Sequence, residues 1–334
     1  MARKPIPADI VGLRLKLQHL RVATAVAQSR SMGKAAKQLG VSQPVVSKAV
    51  ADLEHLLGVC LFDRSPQGVE PTLYGRALLK RSLAIFDDVR TGIEEIRFLA
   101  DPIAGELRIG STEPLLAGLV TATMERIWQR HPRIALRALQ ADSVTLINRD
   151  LPERRIELAV IPVTSLPLRN ELDATLLYRD SWHIVAGADS PWARRKKIDL
   201  AELKNEFWCA TPLDTPIGSL LIDAFRAKGL EPPRLAVSSV MSPPVVAGLL
   251  EKNSRFVAVI ADSLLNFFYA NRFAIKRLPI KLQSPSFGVA TVTLKGRTVS
   301  PVAQLFTAEA QRVGTQLTKI RKAENKNLSA SMLR

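Results

Sequence analysis

The 334-residue chain is 47% hydrophobic and carries 47 Lys or Arg against 31 Asp or Glu, a net charge of +16. A chain of this length has material for two or three domains with their own cores; no segment approaches the ~18 continuous apolar residues of a membrane span, and residues 1–16 lack the apolar stretch of a signal peptide, so a cytoplasmic protein that spans no membrane is expected. The basic excess is uneven, +8 over residues 1–48 and +5 over residues 311–334 against +3 over everything between, a concentrated footprint for phosphates rather than a uniformly soluble surface.

Residues 1–16 form a basic N-terminal extension with Arg3, Lys4, Arg14 and Lys16, and residues 17–71 have the pattern of a winged helix-turn-helix. Met32, Ala35, Ala36 and Leu39 fall at i, i+3, i+4 and i+7 of one helical face. Ser31 stands where a hydroxyl caps the first turn, and Gly40 where a helix ends through a left-handed residue. Ser42 offers a second N-cap, Pro44 is tolerated in a first turn, and Val46, Ala49, Val50, Leu53 and Leu57 make the next apolar face. The opposite face presents Gln43, Pro44, Ser47 and Lys48, a polar stripe able to enter a major groove. Any helical hairpin of an all-α domain shares that periodicity; the charge concentration and the next element favour DNA. In that element Leu61-Phe62-Asp63-Arg64 and Val69-Glu70-Pro71 flank a Pro/Gly turn, giving a hairpin wing on which Arg64 reaches a phosphate or the minor groove.

Thr72 caps a long helix over 72–100. Leu79, Phe86, Ile93 and Ala100 recur every seven residues, with Ser82, Val89 and Ile96 three further on, a heptad seam. At 1.5 Å per residue this helix is roughly 42 Å long, and one apolar seam on it asks for a partner. Two-fold pairing through Leu79, Phe86, Val89, Ile93 and Ile96 would set two recognition helices about one DNA turn apart. Past Asp101-Pro102, strands alternate with helices over 103–313: Leu107 to Gly110, a helix to Arg130, Ile134 to Leu136, a helix from Val144 to Leu151, Leu158 to Ile161, Trp182 to Ala186, Phe207 to Ala210, a helix from Ile217 to Lys228, Ala236-Val237, a helix from Pro243 to Glu251, Val257 to Ile260, Ala290 to Leu294, and a last helix near Pro301 to Val313. That alternation predicts an α/β domain with parallel strands. Crossings near Val163 and Ala261 would divide it into lobe I (103–162 and 262–313) and lobe II (163–261) around a cleft, with 314–334 a basic, disordered tail.

From Leu17 to about Leu99 the chain resembles the N-terminal domain and linker helix of LysR-type transcriptional regulators. The carrying residues are Leu20, the AAKQLGVSQPVVSK and LEHLLGVCLFDR segments and TLYGRALL, in matching order and spacing. The rest matches that family's effector-binding domain in layout, and the LADPIAGELRIG and VIADSLLNFFYANRFAIKRLPIKL segments look most like the branch controlling sugar or aromatic-acid catabolism. The resemblance implies an α/β protein with an all-α winged helix-turn-helix, a linker helix and a C-terminal two-lobed domain of periplasmic-binding-protein type. It implies that Ser42, Gln43, Pro44, Ser47 and Lys48 face the groove, that Ser31 and Lys34 contact phosphates, and that Arg64 acts from the wing of a dimer or tetramer on an interrupted palindrome, with RNA polymerase as a further partner. Lys48 stands where the family often has arginine, trading a planar fork for a point charge; Cys60 and Gln67 replace frequent cations.

In such a domain ligands lie at strand carboxyl ends and helix N-termini, which singles out Ser111, Thr112, Ser143, Thr164, Thr215 and Gly218. Each is also an ordinary cap or turn residue. As effector binders they suit a sugar, a sugar acid or an aromatic carboxylate. His19, His55, His131 and His183 are scattered, no HExxH, GxSxG or Walker pattern is present, and Cys60 and Cys209 form neither a CxxC pair nor part of a metal cluster. No catalytic residue, metal or cofactor is expected, and two cysteines fit a reducing compartment. The expected function is operator binding or promoter activation under control of a small-molecule effector; the alternative is a constitutive architectural DNA-binding protein with a non-functional cleft.

Overall fold

The computed structural model describes residues 14–66, 68–101, 104–163, 170–213, 216–238, 242–280, 282 and 286–332. Two compact units, Met1–Gly92 and Ile93–Arg334, divide the chain. In the first, α1 (Leu17–Ser29), α2 (Met32–Leu39) and α3 (Gln43–Leu57) pack around Val22, Val26, Met32, Ala35, Ala36, Val46, Val50 and Leu53. Small Ala35 and Ala36 let the helices approach closely. Ser31 Oγ accepts the Lys34 N–H at 3.3 Å, and Gly40 ends α2 at φ +69°, both as the sequence predicts. Ser42 is different: it holds the N-cap position of α3, yet its hydroxyl makes no capping bond. Pro44 has no N–H to give, and the Val45 N–H already goes to the Ser42 carbonyl at 3.1 Å.

The wing is an antiparallel pair, β1 (Phe62–Ser65) and β2 (Gly68–Pro71). Glu54 of α3 fastens it, Oε1 accepting the N–H groups of Leu61 at 2.7 Å and Phe62 at 3.2 Å. Thr72 then opens α4 (Leu73–Ala100) as expected, its Oγ1 accepting the Gly75 N–H at 3.1 Å and donating to the Cys60 carbonyl at 2.8 Å. The heptad positions of α4 do not share one environment: Ser82 is buried, Leu79 and Phe86 are half-buried, and Val89, Ile93 and Ile96 are exposed.

The second unit contains two five-stranded sheets. The first, in order β4-β3-β5-β12-β6, comprises β3 (Ala104–Ser111), β4 (Arg133–Gln140), β5 (Leu158–Val163), β6 (Leu172–Asp180) and β12 (Phe287–Leu294). β3 runs parallel to β4 and β5, while β12 is antiparallel to β5 and β6. The second, in order β11-β7-β10-β8-β9, comprises β7 (Trp182–Gly187), β8 (Phe207–Ala210), β9 (Leu235–Ser238), β10 (Phe256–Ala261) and β11 (Ile275–Arg277), with β8 parallel to β9 and β10. The helices α5 (Thr121–Arg130), α6 (Pro216–Arg226), α7 (Pro243–Lys252), α8 (Asp262–Ala270) and α9 (Pro301–Met332) complete it. Leu107, Ile109, Leu119, Val160, Val289 and Phe306 centre the first lobe, and Ile184, Trp208, Phe225 and Val257 the second.

Three expectations are corrected. β6 belongs to the first sheet, so the chain crosses at Ser181 instead of near Val163. The return comes after β11, which pairs with β7 in the second sheet, instead of near Ala261. The last helix, expected near Pro301 to Val313, extends to Met332. The helix expected from Ser111-Thr112 to Arg130 begins as a short turn, Glu113–Leu115, and passes through a π-helical turn, Leu116–Val120, before α5; Ser143–Thr145 and Leu146–Asp150 repeat that form in place of one regular helix.

Candidate functional site

In the first unit α3 sorts its residues sharply. Val46, Val50 and Leu53 are fully buried, while Gln43, Pro44, Val45 and Lys48 are exposed and Ser47 is half-buried. The predicted polar stripe is therefore on the solvent side of the helix, with Ser42 and Lys34 exposed and Ser31 half-buried at the preceding caps. Val41 and Val45, 40% and 46% exposed, join that face unforeseen; apolar groups there suit thymine methyls, and a pattern search for polar stripes passes over them. Arg64 is exposed on β1. Arg30, at the left-handed C-cap of α1, pairs with Glu70 of the wing at 2.7 Å, an exposed pair worth little energetically but continuous with the same basic edge.

In the second unit the strand carboxyl ends place the effector candidates unequally. Ser111 is fully buried and its Oγ donates to the Val160 carbonyl at 2.7 Å, tying β3 to β5. Thr112 is half-buried before the Glu113–Leu115 turn and caps nothing. Ser143 is half-buried, and the capping role falls to Asp142, which accepts the Thr145 hydroxyl and N–H; those bonds hold its carboxyl below the usual range. Gly218 is buried, and a Cβ on it would lie 2.1 Å from the Pro212 carbonyl oxygen, so close packing requires glycine there. Thr164 and Thr215 lie outside the described residues.

The sequence pattern does not single out Glu113; the structure does. Ser111 pairs with Gln140 across the β3–β4 ladder, which brings Gln140 beside the residue two beyond Ser111. Gln140 Nε2 donates to Glu113 Oε2 at 3.0 Å, and the hydroxyl of Ser242, the N-cap of α7 in the other lobe, donates to Glu113 Oε1 at 3.0 Å. One carboxylate thus touches both lobes at the cleft. A lone acid just after a strand end was the available signal.

The lobes hinge about Asp180-Ser181-Trp182. The Asp262 N–H donates to the Ser181 carbonyl at 3.0 Å, and Trp182 stacks on Phe287 at 4.6 Å while packing against both cores. Asp180 accepts the N–H groups of Ser181 at 2.8 Å and Ser263 at 3.4 Å; burial raises its carboxyl above the usual range. His183 Nε2 and Asp262 Oδ1, both buried, approach to 2.5 Å. This cluster braces the hinge instead of facing open solvent.

Cys209 lies buried in β8, and burial pushes its thiol up to about 11. Only about one thiol in ten thousand is then thiolate at pH 7. Iodoacetamide at pH 7.5 is expected to label exposed Cys60 and spare Cys209 until the protein is denatured; equal labelling of both, read by mass spectrometry, would contradict the burial. Because the folded thiol sits above its ordinary 9.0, its contribution to stability is complete below pH 9 and is lost as pH rises towards about 11. Among the described residues no group of three or more His, Cys, Asp or Glu could hold a metal ion, and no helix is long and apolar enough to cross a membrane.

Comparison with known proteins covers both units. Residues 17–76 match the family described as bacterial regulatory helix-turn-helix protein, lysR family, and residues 100–314 match the LysR substrate binding domain. The chain is 28% identical over 317 residues to the HTH-type transcriptional regulator GbpR of Azospirillum brasilense, covering 93% of this chain and 89% of that protein. Among solved structures it is similar to a full-length OxyR variant from Pseudomonas aeruginosa, with TM-score 0.64 and 19% identity over 89% of this chain and 95% of that one. Full-length CbnR complexed with its target DNA gives TM-score 0.50 and 19% identity over 90% of this chain and 100% of that one.

Proposed function

The chain belongs to the LysR family of DNA-binding transcriptional regulators with an effector-binding domain, a family of regulators and not of enzymes, and from that premise we propose how its residues divide the task. Residues 17–71 bind duplex DNA, residues 72–100 pair two chains, and residues 103–313 sense a small molecule. α3 lies in the major groove, where the Gln43 amide reads adenine, Ser47 and Lys48 bond base or phosphate, and Val41 and Val45 meet thymine methyls. Ser31, Lys34 and the uncommitted hydroxyl of Ser42 hold phosphates, and Arg64 adds a contact from the wing. Exposed Val89, Ile93 and Ile96, with Leu79 and Phe86 beside them, form the dimer seam, so that a dimer or a tetramer binds an interrupted palindrome in the cytoplasm and engages RNA polymerase.

The effector is a small polar molecule of the sugar or aromatic class favoured by that branch of the family. Its contacts in the cleft are Thr112, Ser143, Thr164, Thr215 and Gly218, while Ser111 braces β3 against β5. Binding changes the angle between lobes about the Ser181 hinge and hence the bend imposed on DNA.

The observation that carries this reading is the burial pattern of α3, which buries Val46, Val50 and Leu53 in the core and leaves Gln43, Pro44, Val45 and Lys48 in solvent. Its test is a binding titration against a site selected from random duplexes. Gln43→Ala with Ser47→Ala is expected to lower discrimination between that site and random DNA by about tenfold or more, since a good base contact is worth ~1–3 kcal/mol. Undiminished discrimination would remove both residues from base readout.

A further inference from the structure

We infer that Glu113 sets the charge of the effector, and that the cleft takes a small molecule presenting a cationic nitrogen, an ammonium or guanidinium group, to its carboxylate. The inference rests on the cleft being the effector site. Glu113 sits at the meeting point of the lobes, bonded to Gln140 on one side and Ser242 on the other, each at 3.0 Å. Both partners are neutral, and among the described residues no Lys, Arg or His pairs with it. This carboxylate is unbalanced within a chain of net charge +16, and an ionised carboxylate has about four acceptor sites, of which two are used.

The surroundings do not suit an anion. α7 begins Ser242-Pro243-Pro244, and two prolines remove two of the N–H groups that a helix N-terminus would aim at one. The remaining cap hydroxyl, Ser242, already donates to Glu113. Asp142, at the carboxyl end of neighbouring β4, adds a second negative group held ionised by its hydrogen bonds. Exposed apolar residues neighbour these groups in the chain: Leu139 precedes Gln140, Val144 follows Asp142 by two positions and Val245 lies on the first turn of α7, at 37%, 67% and 45% exposure. A ligand with an apolar or ring body and one cationic nitrogen suits this set of residues, the nitrogen pairing with Glu113 and the body resting on exposed apolar side chains. A ligand carboxylate there would face Glu113 with no described cation to offset it.

Two sets of matched probes test this on the full-length protein: glucosamine, glucose and glucuronate, and benzylamine, benzyl alcohol and benzoate, by thermal shift and calorimetric titration. An ammonium probe is expected to raise the melting temperature saturably and to bind at least tenfold more tightly than its neutral and anionic counterparts. Glu113→Gln, nearly isosteric and still able to accept from Ser242, is expected to erase that preference with little change in the unliganded melting temperature. Equal or tighter binding of glucuronate or benzoate overturns the inference while the cleft remains the effector site, as does an ammonium preference that survives Glu113→Gln. Silence from all six probes also overturns it. A probe that binds equally well after Thr112→Trp blocks the cleft lies elsewhere, and overturns the effector-site reading itself.

Discussion

Val89→Asp combined with Ile93→Asp is expected to leave the chain folded and to weaken its self-association by more than about a hundredfold, the loss expected when unpaired charges are buried in an apolar seam. Both side chains are already 44% and 46% exposed, so neither substitution empties the core. They belong to an apolar line on α4, with Ile85 at 37%, Ile96 at 68% and Leu99 at 81% exposure. The spacing of i, i+4, i+8, i+11 and i+14 keeps these five side chains on one face of the helix. An exposed apolar line of this kind suits the proposed dimer seam, and across a two-fold axis the double variant would bring four carboxylates together. Sedimentation should show a monomer with an unchanged circular-dichroism spectrum. A dimer that persists at the wild-type dissociation constant would place the interface on another surface.

Gly75→Ala is expected to destabilise the first unit by about 2–3 kcal/mol through overpacking, although alanine alone would favour the helix by roughly 1 kcal/mol. A Cβ at this position would lie 2.1 Å from the Leu61 carbonyl oxygen and 3.2 Å from Pro71 Cβ. Neither neighbour can rotate aside, since one is backbone and the other a proline ring, and the Gly75 N–H is already tied to Thr72 Oγ1. The helix must retreat from the wing, so DNA affinity should fall with stability. Gly92→Ala is the control: nothing lies within 4 Å of its Cβ, and propensity alone should make it neutral or stabilising. Urea midpoints that move together for the two variants would show that the contact at Leu61 relaxes without cost.

Much of the first unit was legible because its determinants are local. Ser31 caps Lys34 within one turn, Gly40 closes α2 by its own φ, and Thr72 opens α4 through Gly75. Where a local signal misled, a local competitor explains it: at Ser42 the proline two residues on removes an N–H that the hydroxyl would have capped. The candidate effector residues fared differently. Ser111 has the residue type of a ligand contact, but its hydroxyl is committed to Val160, a partner forty-nine positions away, which spacing alone does not reveal. Glu113 offers only a lone acid after a strand end, because its contact with Ser242 on the other lobe appears only in the fold.

By itself, then, the sequence determined the helix-turn-helix, its wing, the long linker helix and the α/β character of residues 103–313, since periodicity, caps and turns act over a few residues and a strand's apolar run is readable without its partner. Only the tertiary structure decided that β6, with its weak half-exposed alternation, joins the first sheet by pairing along the whole of β12, that the chain therefore crosses at Ser181, and that the Glu113 carboxylate meets Ser242 of the other lobe. Those outcomes depend on contacts between residues far apart in the chain, whose side chains become neighbours only after the sheets have formed.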